Sequence, residues 1–298
     1  MLASLQETLP PDLDHEVIFV DDGSADGTRE WLASLSASPR LRIILNPENL
    51  GYAGANNRGA EIATGDVLAL LNNDLVLRPG WLEPMLAVRR RLGERAGLIG
   101  NVQRTIATGA IDHVGIFINL KGKPEHDRER PLLQALRGRS AYRRVAAVTG
   151  ACVVIDRSVF RELGGFATRF VNGGEDVDLA FRLAQAGRIN AVALRSVVGH
   201  HVSPSPNRKL RDEQNSYRLA VAWRDTLARH AARLWCWDYL RREWTATREP
   251  ERSFTTAGLL AYALHLRPSP PPTALAGMQE AIDAELTRWR RLLPNEAV

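Results

Sequence analysis

The chain has 298 residues, of which 45% are hydrophobic and 24% charged, with a formal net charge of +5. That balance describes one large globular domain, or one domain with an appendage, and not a disordered or fibrous chain. Its two cysteines, Cys152 and Cys236, lie far apart and in no Cys-x-x-Cys spacing, which argues against a disulfide framework or a thiolate zinc centre. The basic surplus suits a phosphate-bearing ligand or an anionic membrane face, or is simply an Arg-rich solvated surface.

The opening "MLASLQETLPPDLDHE" lacks the basic start and apolar run of a signal peptide, and no stretch has the length of a membrane-spanning helix. A cytosolic protein is expected, with any membrane contact made through its surface. "EVIFV" is a short apolar run ended by Asp21 and Asp22, as a buried strand would be. The next segment predicts a helix capped by Asp26 or Thr28, with Trp31, Leu32 and Leu35 as its buried stripe. "LRIILN" is a strand, "GYAGANNRGAEIAT" a Gly-rich turn opening a helix, and "GDVLALLNND" a third strand ending in polar residues. A helix with Pro79 near its start and the strand "AGLIGNVQ" follow.

From about Ile111 to Arg144 the rhythm changes. "HVGIFINLKGKPEH" alternates like a hairpin, and the charged "DRERPLLQALRGRSAYRR" reads as a loop. A strand, a helix capped from Asp156 or Ser158, a Gly-Gly stop, a helix with Glu175, Asp176 and Asp178 in its first turn, and a strand ending at "GHH" complete this region. Beyond Asn215 come a long Trp- and Arg-rich helix, the stiff "RPSPPPT" linker and a last helix. Alternating strands and helices predict an α/β domain with a mainly parallel sheet, whose ligand sits at the carboxyl ends of the strands.

Two adjacent aspartates at the end of a buried strand are costly unless a cation or hydrogen-bond donors meet them. The segments "VDDGSADGT", "NLGYAGANNRGAEIATGD", "LALLNNDLVLRPGWL", "VTGACVVIDRSVFRELGGF", "GGEDVDLAFRLAQAG" and "VVGHHVSPS" stand in an order that resembles family 2 glycosyltransferases, in their rhamnosyltransferase-like branch. The resemblance spans roughly residues 3–225. It implies a GT-A fold over 1–225, followed by a helical extension over 226–298. It also implies an inverting glycosyltransferase that moves a sugar from a UDP- or dTDP-sugar to a hydroxyl of a cell-surface glycan or lipid-linked acceptor. No nucleic-acid partner is expected.

By the same resemblance, Asp21, Asp22, Gly23, Ser24, Asn49, Gly51, Asn56, Asn57 and Asn73 are nucleotide-sugar-binding positions. Asp74 and His200 are the ligands of Mg²⁺ or Mn²⁺, with His201 as the alternative to His200. Asp176 is the catalytic base, Glu175 its acceptor-positioning partner, and Asp178 a supporting or surface acid. A carboxylate is needed to take the acceptor proton as its oxygen attacks the sugar, and hard cations prefer carboxylate and phosphate oxygens. Arg58 either pairs with phosphate or lies on its helix, and Arg208, Lys209 and Arg211 either close over the diphosphate or are solvated charges.

The sequence departs from the family in four places. Asn72 stands where the usual Asp-x-Asp has its first acid, Ala167 where an acid is usual, and Gly174 where a bulky residue is usual. The usual first strand and its nucleotide-binding tip are not found ahead of "EVIFV". That motivates a second reading, a degenerate family member acting as a binding or scaffold subunit. A third, a sugar nucleotidyltransferase, would want a Gly-rich, Arg/Lys-bearing phosphate signature near the start, which is not found. The Trp/Arg helix either packs on protein or lies on a membrane interface near a lipid-linked acceptor.

Overall fold

A computed structural model of the chain describes residues 1–35, 40–129, 141–201, 208–245 and 254–293. They divide into two compact units, Met1–Ile116 with His126–Arg208, and Phe117–Glu125 with Lys209–Val298.

In the first unit, short apolar runs with polar ends become strands. After α1 (Leu2–Thr8), β1 (Val17–Asp21) and β2 (Leu41–Leu45) pair in parallel across the α2 crossover (Thr28–Ser34), as a separate two-stranded sheet. Next come α3 (Gly51–Ile62), β3 (Val67–Leu71), the short β4 (Leu75–Val76), α4 (Glu83–Leu92) and the long β5 (Ala96–Thr105). An excursion carries β6 (Ile111–His113) and β9 (Tyr142–Arg144); between them the chain forms the expected hairpin of β7 (Ile116–Ile118) and β8 (Pro124–His126), most of which belongs to the second unit. The first unit closes with β10 (Cys152–Asp156), α5 (Arg157–Glu162), α6 (Glu175–Gln185) and β11 (Ile189–His200).

The main sheet has seven strands in the order β3-β10-β5-β11-β4, with β6 beside β5 and β9 beside β11. β5 and β11 are parallel, but β10 is antiparallel to both β3 and β5, and β4, β6 and β9 also pair antiparallel. The sheet is therefore mixed, which corrects the expectation of a mainly parallel one. The excursion after β5 brings the chain back to the edge that β5 has just reached, and a strand entering there must run the opposite way. The consequence is useful: β3, β5 and β11 share one direction, so their carboxyl ends and the start of β10 meet at a single edge.

The core beneath that edge is built from α4 and the segment before it. Leu77, Trp81, Met85, Val88 and Leu92 pack on Ile99, Val154, Ala191 and Val198. Met85, Val88 and Leu92 recur at helical spacing on the buried face; each such side chain contributes about 1.5–3 kcal/mol by leaving water.

Two local expectations are corrected. On α2 only Leu32 is buried, while Trp31 is 46% exposed; at about two turns, the helix is too short to bury a wide stripe. Asp26 does hold its start, accepting from Thr28 N (3.2 Å) and Oγ1 (2.6 Å). Helix α4 begins at Glu83 with Pro84 in its first turn, not at Pro79.

The second unit contains α7 (Arg208–Thr245), α8 (Phe254–Ala263) and α9 (Pro272–Leu292). Ala232, Cys236, Leu259, Tyr262 and Ala274 form its core, and α9 buries Met278, Ile282, Leu286 and Trp289 along one stripe. Arg208, Lys209 and Arg211 stand at the start of α7. The expected boundary at 225/226 falls inside α7, just past a break in helical geometry at Trp223 (φ −130°, ψ 23°). The expected charged loop falls largely on residues 130–140, outside the described residues. Among the described residues, no helix is long and apolar enough to cross a membrane.

Candidate active site

Three groups of side chains converge on the shared strand edge and on the tip of β1. The first lies where β1 ends. Asp21 is 4% exposed, and its Oδ2 accepts from Ser24 N (3.3 Å) and Arg29 Nε (2.8 Å). Burial alone would push its carboxyl up, but the Ser24 and Arg29 bonds hold it below the usual value. Its Oδ1 is buried with no hydrogen-bond partner, an exception that calls for an explanation in a native fold.

Asp22 has a different job. Its Oδ1 accepts from Asn46 Nδ2 (2.8 Å) and Leu50 N (2.9 Å), and its Oδ2 from Gly51 N (2.8 Å). The carboxylate thus satisfies donors at the start of α3, where negative charge is favoured. Asn49 finishes the same turn, donating to Asp22 O (3.1 Å) and accepting from Gly51 N (3.1 Å). Gly23 has φ +79°, and a Cβ there would stand 3.1 Å from Asn49 N, so the two loops meet only because this residue is glycine.

The structure does not turn both α3 asparagines toward the strand tips. Asn56 donates to Tyr52 O (2.8 Å), whereas Asn57 clamps Phe166 with a donor bond to its carbonyl (2.8 Å) and an acceptor bond from its N–H (2.9 Å). Adjacent helical residues point about 100° apart, so one face cannot hold both. Arg58 donates to Asn46 Oδ1 (2.6 Å). Asn46, fully buried, is a hub that no motif in the sequence singled out.

The second group surrounds Asp74, in the turn between β3 and β4. Its Oδ1 is buried and unpartnered, and its Oδ2 lies 3.3 Å from His200 Nε2. The other ring nitrogen, Nδ1, lies 3.1 Å from Asp112 Oδ2 on β6. Contact with Asp74 lifts the His200 pKa, against the lowering effect of burial. His201 is exposed and contributes its backbone, donating to Asp74 O (2.9 Å). Asn73 is exposed beside them. Among the described residues, no three His, Cys, Asp or Glu side chains form a complete cation cage. Asp74 and His200 nevertheless fit a divalent cation that takes its remaining ligands from phosphate and water, because one oxygen of the Asp74 carboxylate, Oδ1, is buried and bare while the other, Oδ2, stands beside an imidazole nitrogen.

The third group opens α6. Asp176 Oδ2 accepts from Gly150 N (2.9 Å) and Oδ1 from Val177 N (2.8 Å), while Glu175 Oε2 accepts from Gly173 N (2.7 Å). Burial, then repulsion from Asp176, pushes Glu175 up to about 7. Burial also raises Asp176, against the backbone bonds that stabilise its anion. Gly174 has φ +95° at the helix entry, which explains why glycine replaces a bulky residue here. Asp178 is fully buried between Arg169 (2.6 Å) and Arg182 (2.8 Å) and holds the helix in place.

Backbone and side-chain bonds link the groups. Tyr52, next to Gly51, donates to Gly150 O (2.7 Å), and its N–H donates to Asn172 Oδ1 (3.0 Å) in the loop before Glu175. Asn72 N donates to Ala151 O (2.9 Å). Burial lowers the His126 pKa against the negative charge of Asp176, and the ring packs edge-on against His113, with 4.8 Å between ring centroids. Tyr52 lies within one of the motifs but was not singled out, because its partner Gly150 is 98 residues away; Asp112 and His126 belong to none of the motifs that suggested the site.

The family model described as glycosyl transferase family 2 matches residues 1–164. Glu175, Asp176 and His200 lie beyond that match. The O-antigen biosynthesis protein RfbC of Myxococcus xanthus is 30% identical over 218 residues, 71% of this chain, and the alignment spans only 17% of RfbC. The N-acetylglucosaminyl-diphospho-decaprenol L-rhamnosyltransferase of Mycobacterium tuberculosis is 29% identical over 64% of this chain and 68% of its own. Among solved structures, GalNAc-T7 with UDP, GalNAc and Mn²⁺ superposes with a TM-score of 0.61 at 18% identity, over 96% of this chain and 54% of that one. That likeness shows the fold, which is GT-A.

Proposed function

This chain belongs to glycosyl transferase family 2, and from that premise we propose that it is an inverting, metal-dependent glycosyltransferase. Its donor is a UDP- or dTDP-sugar, and its acceptor a hydroxyl of a cell-surface glycan or a lipid-linked sugar. The observation that carries this reading is Asp74: its buried Oδ1 has no partner, His200 stands beside it, and both occupy the strand edge that also holds Asp176.

Asp21 and the 22–24 loop receive the nucleoside, with the free Oδ1 of Asp21 as acceptor for a base N–H or a ribose hydroxyl. Asp22, Asn49 and Gly51 shape that wall from behind. Asn57 supports it through Phe166, and Asn56 through the first turn of α3. Asp74 and His200 hold Mg²⁺ or Mn²⁺, which when bound offsets negative charge on the leaving diphosphate; the Mn²⁺ named with GalNAc-T7 favours a cation of this kind.

Asp176 takes the acceptor hydroxyl proton as that oxygen attacks the anomeric carbon. The new carbon–oxygen bond forms as the bond to the diphosphate breaks on the opposite face, and the bonding pair leaves with the diphosphate. Two backbone bonds fix the Asp176 carboxylate, and its raised pKa makes it a better base. Glu175, more deeply buried, orients the acceptor. The retention of both acidic centres favours an enzyme over a scaffold subunit.

The reaction is placed in the cytoplasm, at the inner membrane face when the acceptor is lipid-linked. Leu260, Leu264 and Leu266, exposed by 43%, 48% and 77%, support a membrane-facing patch on the second unit. Vesicle flotation with and without residues 226–298 tests it. The decisive experiment is a panel of nucleotide sugars with Mn²⁺, read as donor binding and donor hydrolysis. Binding that is lost in Asp74→Ala supports the reading, and a folded protein that binds no nucleotide sugar overturns it.

A further inference from the structure

Asp112 lies on β6, is 8% exposed, and belongs to none of the motifs that suggested the site. The pairing of β6 with β5 brings it under the end of β11, where its Oδ2 stands 3.1 Å from His200 Nδ1. The far side of the same ring presents Nε2 to Asp74 Oδ2 at 3.3 Å. His200 is therefore held between two carboxylates, one on each nitrogen. The Arg128 guanidinium is 3.7 Å from Asp112 Oδ1 and 69% exposed, so it neutralises Asp112 weakly.

Which nitrogen of an imidazole carries the proton is set by the bond that the other one makes. A carboxylate on Nδ1 selects the Nδ1–H form and leaves the lone pair on Nε2; the Asp74 carboxylate pulls the other way in the free protein, and that competition ends when Asp74 turns its charge to a cation. The Nδ1–H form is the one able to ligate a cation on the Asp74 side. Without such a partner, a neutral histidine favours the proton on Nε2, which would block ligation there.

We propose that Asp112 is a positioning residue that holds His200 as the Nδ1–H tautomer and so presents Nε2 to the cation shared with Asp74. The proposal rests on the metal reading above and adds to it the residue that makes His200 competent.

Two measurements on the full chain test it. The first is the His200 tautomer, read by long-range ¹H–¹⁵N correlation in the metal-free protein at alkaline pH, where the ring is neutral, on an Asp74→Ala background that removes the competing carboxylate from Nε2. That background shows Nδ1–H; adding Asp112→Ala shifts the ring toward Nε2–H; adding Asp112→Asn, whose amide oxygen still accepts from Nδ1–H, keeps the Nδ1–H form. The second is Mn²⁺ affinity in the presence of UDP, followed by the EPR signal of free Mn²⁺. Loss of a partner to a ligating histidine weakens binding about 10–100-fold, so Asp112→Ala falls in that range and Asp112→Asn recovers much of the loss. An Asp112→Ala substitution that leaves both the tautomer and the Mn²⁺ affinity unchanged overturns the proposal. Asp74→Ala tests the metal reading by itself, while the tautomer reports on Asp112 with no metal present, so the two ideas fail separately. The Asn variant preserves volume and hydrogen bonding, which keeps the comparison valid if the Ala variant does not fold.

Discussion

Asp176 accepts the backbone N–H of Gly150 at 2.9 Å, and the carbonyl of that same glycine accepts the Tyr52 hydroxyl at 2.7 Å. One peptide segment thus joins the acid pair to the helix that carries the nucleotide wall. A Cβ on Gly150 would stand 2.5 Å from the Tyr52 hydroxyl oxygen and 2.9 Å from its ring. Gly150→Ala is expected to cost about 1–3 kcal/mol through overpacking and to lower kcat by displacing Asp176. Tyr52→Phe loses only the hydroxyl bond, about 1 kcal/mol. Thermal unfolding and steady-state kinetics of the two variants check the order.

Glu175 gives a pH dependence whose sign is opposite to that of an ion-paired carboxylate. Its pKa is raised from 4.5 to about 7 in the fold, by burial and then by Asp176. Between those values the native state holds more protons than the unfolded chain, so stability falls as pH rises through the window. Most of the penalty is present above pH 7, on the order of 3 kcal/mol. Glu175→Gln is expected to raise Tm at pH 8 and to change it little at pH 4, at the expense of activity. A Tm gain independent of pH would overturn this account.

Asp22 is expected to act on stability and on KM together. Removing its carboxylate leaves Asn46 Nδ2 and the Leu50 N–H without this acceptor, and leaves the Gly51 N–H with only the longer bond to Asn49 Oδ1. The start of α3 is partly open to solvent, so water recovers part of the loss and Asp22→Ala should cost about 1–3 kcal/mol. Donor KM rises because the loop against the nucleoside loosens. Asp21→Asn should instead weaken donor binding and break the Arg29 pair. Isothermal titration with UDP, beside denaturant melts, separates the two aspartates.

The sequence marked both acidic centres because each is a local pattern, an apolar run closed by acids or asparagines. The distinction between Asp21 and Asp22 was hidden in it. Neighbouring strand residues face opposite ways, and which one meets Leu50 and Gly51 depends on a contact 28 or 29 residues away. Tyr52 reaches Gly150 across 98 residues, and Asp112 reaches His200 across 88. No window of sequence contains such pairs. Gly174 was legible as a departure, but its reason, a left-handed backbone at the entry of α6, is a property of the folded turn. The mixed sheet was misread for a similar cause: strand direction follows from where the excursion after β5 returns, which composition does not encode.

Asp74 is the position where loss of function and gain of stability should coincide. Its Oδ1 is buried without a partner, a desolvated acceptor that costs about 1–3 kcal/mol or more in the free protein. Asp74→Asn keeps the shape, removes the charge beside His200, and lets an amide fill the site. The variant is expected to melt at or above the parent Tm without metal, and to lose the Tm rise that the parent shows on adding Mn²⁺ with UDP. Activity should fall at least about 10²-fold, the scale on which losing one positioned electrostatic contact is felt in a transition state. Scanning calorimetry with and without Mn²⁺ and UDP reads both effects in one sample. A parent protein that gains no stability from the pair, or an Asn variant that gains as much, would show that the unpartnered oxygen serves something other than a cation.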